Sequence, residues 1–600
     1  MLAAVTALAA LASTDYPGTV HVDGFNLPAA VTVSQSGDNY TVTFGNFSQL
    51  GTVVITAPGT TTDGVTTIVT SQQIDGGLAS AVIAFNQYAL GANIDILTPE
   101  GITKTVTFTQ DGEATGYQIK NSGFENFKSD GEPFAWHGFA SATGTWASLA
   151  PGSLNKSTDS HSGTYSAMMT SGSMFGKVGN GTMTTGRLNA GSTTPSSTEN
   201  CSKMDISNTA TDANGDPFYT IMHGRPDAIK FWTKFTPKNS SYRASMSAII
   251  TNGTAYQDPE PENTNYTNKL ATAKDLENIA MSAGWVEHTV DFNYINTSLT
   301  GRALLVTFST SSTPGGGAGG DVLYVDDIAL VYNAAITGIT VNGKALEGFS
   351  QDVHEYNCKI AGKITDADID ATYVSPHAYL VKKAIETEDG YKLIVAVVSN
   401  DFNTVKMYTI NVTITLDGVT FDEGRQWATW YGDQDLALPE NVTASVVDAI
   451  NGNNVSISSV DYLPANVGVL LHSTTAASEI TTTPYSGTTQ SVSSLLLGSA
   501  TEHTVTNAYL LYNNQFILAQ DGTTVAAHRC YLPVEGDVMN APRMLMIGND
   551  QGTVTAIDDL TTSGRRIEAI YNAQGQRVNE NATGILIIRY SDGTTTKVIR

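Results

Sequence analysis

Short runs in which apolar and polar residues alternate recur along the chain, broken every few positions by Gly, Asn, Asp or Pro. Val31-Thr-Val-Ser-Gln35, Tyr40-Thr-Val-Thr-Phe44, Thr52-Val-Val-Ile-Thr56 and Thr103-Lys-Thr-Val-Thr-Phe-Thr109 are typical. A period of two sends alternate side chains to opposite faces of a strand, and the breakers supply turns, so the pattern predicts a meander of strands. Gly320-Asp-Val-Leu-Tyr-Val-Asp-Asp-Ile-Ala-Leu-Val-Tyr332, after the glycine run Pro314-Gly-Gly-Gly-Ala-Gly-Gly320, reads as the last strand of a unit. Strict alternation places Val322, Tyr324, Asp326, Ile328 and Leu330 on one face and Leu323, Val325, Asp327, Ala329 and Val331 on the other. Both faces are then apolar, which predicts a strand sandwiched between layers. Two adjacent carboxylates in such a strand are costly unless each meets a cation or hydrogen-bond donors.

A chain of 600 residues exceeds one core, and about 150 residues per domain suggests roughly four or five domains. Thr, Ser, Gly, Val and Asn abound and charged residues are 15%, an all-β composition. The 31 basic against 57 acidic residues give a net charge of −26, which argues against nucleic acid as a partner. Cys201, Cys358 and Cys530 are too scattered for a disulfide framework or a zinc site. His-Glu-x-x-His, phosphate-loop, dinucleotide and Gly-x-Ser-x-Gly signatures are absent, so no catalytic residue is assigned. Met1-Leu-Ala-Ala-Val-Thr-Ala-Leu-Ala-Ala-Leu-Ala-Ser13 reads as a signal-peptide apolar region and implies export, and no later stretch is long and apolar enough to span a bilayer.

Tyr117-Gln-Ile-Lys-Asn-Ser-Gly-Phe-Glu-Asn-Phe127, Ser160-His-Ser-Gly-Thr-Tyr-Ser-Ala167, Ala228-Ile-Lys-Phe-Trp-Thr-Lys-Phe-Thr-Pro237 and the 320–332 strand together resemble the carbohydrate-metabolism domain (PCMD) of Bacteroidetes surface proteins, over residues 117–333. The resemblance implies a jelly-roll sandwich akin to carbohydrate-binding modules and no established reaction. Residues 16–112 resemble a calycin-like β-barrel, which either holds a ligand or is filled by side chains. Residues 335–415 resemble a cadherin-like β-sandwich, on Ala335-Ile-Thr-Gly-Ile-Thr-Val341 and Met407-Tyr-Thr-Ile-Asn-Val412. Residues 416–550 resemble a β-rich module of Bacteroidetes surface proteins, with Trp427 and Trp430 read as core. In the 560–600 segment, Tyr571-Asn-Ala-Gln-Gly-Gln-Arg-Val578 resembles a type IX secretion sorting signal, implying anchoring or secretion machinery as a partner.

Glycan binding needs an aromatic face for the apolar side of a sugar and polar groups for its hydroxyls. Alternation in Ile229-Lys-Phe-Trp-Thr-Lys-Phe235 turns Ile229, Phe231 and Phe235 inward and leaves Lys230, Trp232 and Lys234 outward. Those three, with Trp136 and Trp146 near turns, are the expected ligand contacts. Glu125, on the opening strand, with Asp326 or Asp327 on the closing one, suggests a structural calcium ion completed by Asn121, Asn126 and backbone carbonyls, the alternative being that one aspartate caps nearby backbone amides and the other is solvated. His137 and His223 read as surface or hydrogen-bonded core residues. The expectation is a non-catalytic, secreted or surface-attached glycan-binding protein, against a structural adhesin or a glycan hydrolase. Asp326 and Asp327, pointing to opposite faces, do not form a hydrolytic pair.

Overall fold

The computed structural model describes residues 13–47, 50–206, 210–534, 536, 538–548, 567–572, 574–579, 582, 585–590 and 595–599. The signal-peptide reading of residues 1–12 lies outside them. The protein is all-β, and among the described residues the only α-helix is the four-residue turn Gly112–Thr115. It forms two compact units, Met1–Ile360 with Ile364–Thr413, and Ala361–Lys363 with Ile414–Arg600.

The first unit opens with an eight-stranded closed barrel from Ser13–Val22 to Thr103–Thr109, whose last strand pairs with its first. Each strand pairs with the next because the turns are short: Asp23-Gly24 and Asp63-Gly64 both sit at positive φ, the hairpin geometry that Asp and Gly accept. Val20, Val31, Val42, Phe44, Ile55, Ile68, Ile94 and Phe108 form a buried apolar cluster, so side chains fill this barrel.

A two-sheet sandwich follows. One sheet runs Val286–Asp291, Ala228–Thr236, Val322–Val331, Ser166–Thr170, Ser153–Ser157. The other runs Thr182–Thr184, Ala303–Ser309, Ala244–Thr251, Lys269–Ile279, Asn293–Tyr294. Ile229, Phe231 and Phe235 face inward as alternation predicts, against Met246, Ile250, Val306 and Phe308. The closing strand departs from strict alternation. Its pairing with Ala228–Thr236 slips between Lys230 and Trp232, and Asp327 adopts φ 46°. This bulge adds one residue, so Leu323 and Val325 before it and Ile328 and Leu330 after it all face the core. The two-sided apolar reading is therefore corrected: one face packs and the other is open, with the phase switching at the aspartates.

Further along the first unit lie a sheet around Ile336–Val341 and one built from Glu355–Ile360, Val405–Thr415, Gly390–Val398 and Tyr379–Thr387. Val82, Ala84 and Ala89 of the barrel share a buried cluster with Tyr117, Ile394, Val398, Phe402 and Met407. The second unit holds a nine-stranded sheet, in which Trp430 is buried and Trp427 packs against the core. A four-stranded sheet of Arg577–Val578, Ile567–Asn572, Ile585–Tyr590 and Thr595–Ile599 ends the chain. Cys201, Cys358 and Cys530 are free thiols.

Candidate functional site

Two sets of predicted residues meet at one loop, residues 159–165, which lies over the open face of the five-stranded sheet. Glu125 Oε1 accepts the amides of Thr164 and Tyr165 at 2.8 and 3.1 Å. Asp326 Oδ2 accepts the amide of His161 at 2.8 Å, and its Oδ1 accepts that of Asp327 at 2.9 Å. Asp327 takes the Ser162 hydroxyl at 2.9 Å and pairs with His161 Nδ1 at 2.6 Å. The carboxylates thus find donors in a loop rather than converging on a cation, and no group of three His, Cys, Asp or Glu among the described residues is arranged to hold a metal. Glu125, Asp326 and Asp327 do not fit the expected calcium ion, and Asn121 spends its side chain on the backbone of Asn126 and Phe134.

The same loop occupies the outward aromatic. His161 stacks on Trp232 at 3.8 Å and 13°, Lys234 pairs with Asp159 at 2.6 Å, and Lys230 lies 3.5 Å from Glu287. Trp232, Lys230 and Lys234 are engaged within the protein. The sequence alone does not bring residues 159–165 against residues 230–234, since only sheet order does so.

Asp326 is fully buried. Burial first, and the charge of Asp327 next, push its carboxyl up to about 6, although the amides of His161, Asp327 and Ser162 work the other way. A carboxyl whose folded-state value lies above its unfolded one binds its proton more readily in the native protein. Its contribution is full below about pH 4 and is lost as pH rises through about 6. Urea titrations of the full chain between pH 4 and 7 are expected to show this part of the stability falling by something on the order of 2 kcal/mol. Asp326→Asn is expected to flatten that slope, and an unchanged slope would remove Asp326 as its source.

Trp136 and Trp146, alike in sequence as tryptophans near turns, separate completely. Trp136 is fully buried, packs on Phe124 at 5.4 Å between ring centroids, and donates from Nε1 to the Lys120 carbonyl at 3.1 Å. It is core, and its expected ligand role is corrected. Trp146 is 36% exposed and lines a groove of about 710 Å³ on the outer face of the second sheet. That size falls within the roughly 300–1,000 Å³ of small-molecule sites.

The groove follows from alternation in Ala244–Thr251. Met246, Ala248 and Ile250 face the sandwich core, so Ser245 and Ser247 face out, joined by Thr307 and Ser309 from the neighbouring strand. At one end this outer face is closed by Met204, Ile249, Tyr256, Ala303 and Leu305. At the other it stays open, walled by Phe139, Trp146 and Leu149, by the hairpin Gly172–Gly179, and by Asn200, Cys201 and Ser202. The asparagines build walls rather than point free: Asn180 bonds Gly315 and Gly316, and Asn200 bonds Ser192 and Thr194.

Asp258, the only carboxylate among the groove-lining residues, accepts the Ser247 hydroxyl at 2.7 Å and Lys274 at 3.2 Å. Burial raises the Cys201 thiol above its usual range, which keeps it protonated and a poor nucleophile. Ser202 is among the lining residues, but its Oγ is closed off from solvent and has no hydrogen-bond partner among the described residues. The sequence reading missed Ser202, Phe139 and Phe175. The one signal available was the Ser245-Met-Ser-Ala248 alternation, which marks a polar outer face.

No protein-family profile matches the chain, and no curated protein matches it. Among solved structures, a candidate glycoside hydrolase from Bacteroides vulgatus aligns at 14% identity and TM-score 0.23, covering 30% of this chain and 76% of its own. A second from Bacteroides thetaiotaomicron aligns at 11% and 0.23, over 52% and 83%. Carbohydrate-binding modules of the β-sandwich superfamily align at 11% and 0.20, over 53% and 97%.

Proposed function

We propose that this chain is a non-catalytic glycan-binding protein, secreted or attached to a cell surface, with the groove walled by Trp146 as its binding site. The observation that carries the reading is a groove of about 710 Å³ whose wall presents Trp146 beside a face lined by Ser245, Ser247, Thr307 and Ser309. A sugar offers hydroxyls that donate and accept, matching the Ser and Thr floor, and an apolar CH face that suits an indole. Hydrolysis of a glycosidic bond ordinarily takes two carboxyl groups roughly 5–10 Å apart, whereas Asp258 stands alone in the lining and is already paired. The extracellular setting rests on the apolar run before Ser13 and on the resemblance of the C-terminal segment to a sorting signal.

Affinity electrophoresis of the full chain through gels containing xylan, mixed-linkage β-glucan, galactomannan or polygalacturonate tests this. Retardation in at least one gel is expected. Trp146→Ala is expected to weaken it about tenfold or more, equivalent to about 1.4 kcal/mol. Retardation that Trp146→Ala leaves intact would place binding elsewhere. No retardation in any gel, with adhesion to immobilised protein, would favour an adhesin.

A further inference from the structure

We propose that Phe175 is a ligand-contacting side chain of this groove, taking the apolar face of a pyranose ring. The inference rests on the glycan-binding reading and deepens it. Phe175 and Gly176 form the two-residue turn between Gly172–Met174 and Lys177–Gly179, where Met174 pairs with Lys177. Both are left-handed, at φ 50° and 71°, the combination of a type I′ turn. Four other two-residue turns among the described residues share it: Asp23-Gly24, Asp63-Gly64, Asn342-Gly343 and Asn513-Asn514. In each of those the first position is Asp or Asn, residue types whose short side chains can bond nearby backbone and so tolerate the conformation. Only at the groove does a bulky aromatic stand there, where the left-handed region is unfavourable for it.

Packing within the protein does not compensate, because Phe175 is 78% exposed. An apolar ring stabilises a fold by leaving water, and this one stays in it. Strain kept at an uncovered aromatic points to a surface that a ligand covers. The ring lines the same groove as Trp146. Its hairpin is tied at both ends: beside the turn Lys177 Nζ donates to the Thr193 carbonyl at 2.9 Å, and at the base Asn180, just beyond the second strand, is bonded to Gly315 and Gly316 at 2.8 and 2.9 Å. The side chain is therefore presented from a rigid support.

Phe175→Asn separates function from structure, since asparagine is the residue this chain uses at the equivalent turn position. The variant, in the full chain, is expected to unfold at the same or a higher urea concentration than the parent while its retardation in the four polysaccharide gels weakens roughly fivefold or more. Phe175→Trp is expected to keep the retardation. A less stable Phe175→Asn protein would make the ring structural and overturn the assignment. Retardation that Trp146→Ala abolishes and Phe175→Asn leaves intact would overturn this assignment alone, with the groove reading standing. A parent chain that none of the four gels retards overturns both.

Discussion

Trp136→Ala is expected to cost the first unit about 3–5 kcal/mol, read as a fall in the urea midpoint of the full chain. The indole is fully buried between Phe124 and Phe308, with ring centroids at 5.4 and 6.5 Å, and close-packed neighbours cannot collapse into the volume it leaves. Its Nε1 bond also goes, leaving the Lys120 carbonyl without that donor. Trp136→Phe, which keeps most of the volume, is expected to cost clearly less. A loss below about 1 kcal/mol for the alanine variant would mean that the ring is not the core element described.

Glu132→Ala is expected to destabilise by a similar amount, about 3–5 kcal/mol, by a different route. Glu132 is buried; its Oε1 accepts the amides of Gly138 and Ala140 at 2.9 and 3.0 Å, and its Oε2 takes the Ser141 hydroxyl at 2.5 Å and Lys128 at 3.1 Å. Removing it strands the buried Lys128 ammonium with Asp212 at 3.7 Å and leaves two amides unmet. Burial works against the Asp212 charge, but His137 and the amides of Asp216 and Asn214 hold its carboxyl down to about 2, so Asp212 remains an anion for Lys128. The turn that Glu132 fastens carries Phe139, a wall of the groove, so the variant is expected to lose polysaccharide retardation as well as stability. A variant with parental stability would show that Lys128 and the amides find other partners.

What the sequence made legible was set by periodicity. Ile229, Phe231 and Phe235 point inward because nothing interrupts their alternation, and Asp23-Gly24 turns a hairpin because those residues accept positive φ. Asp326 and Asp327 defeated the same rule, because a bulge inserts one residue and reverses the phase, and no residue type announces it. The tryptophans failed for another reason. Outside strands there is no period to read, so Trp136 in the core and Trp146 at the groove carry identical local signals. The groove was least legible, since its lining spans Phe139 to Gly315 and only sheet order assembles it.

The cluster that joins Val82 and Ala84 of the barrel to Tyr117 and to Ile394 and Phe402 has a consequence for how this protein tolerates change. Asn400 Oδ1 accepts the Arg225 amide at 2.6 Å, and Gln110 and Asn403 bond reciprocally at 2.8 and 3.1 Å, so polar ties reinforce the shared apolar seam. β-domains on a string normally drift and evolve as separate beads. Here the seam makes three of them one heritable block: the sandwich carrying the groove cannot be excised or transplanted without baring Tyr117 and Tyr332, and selection on any one of the three acts on all.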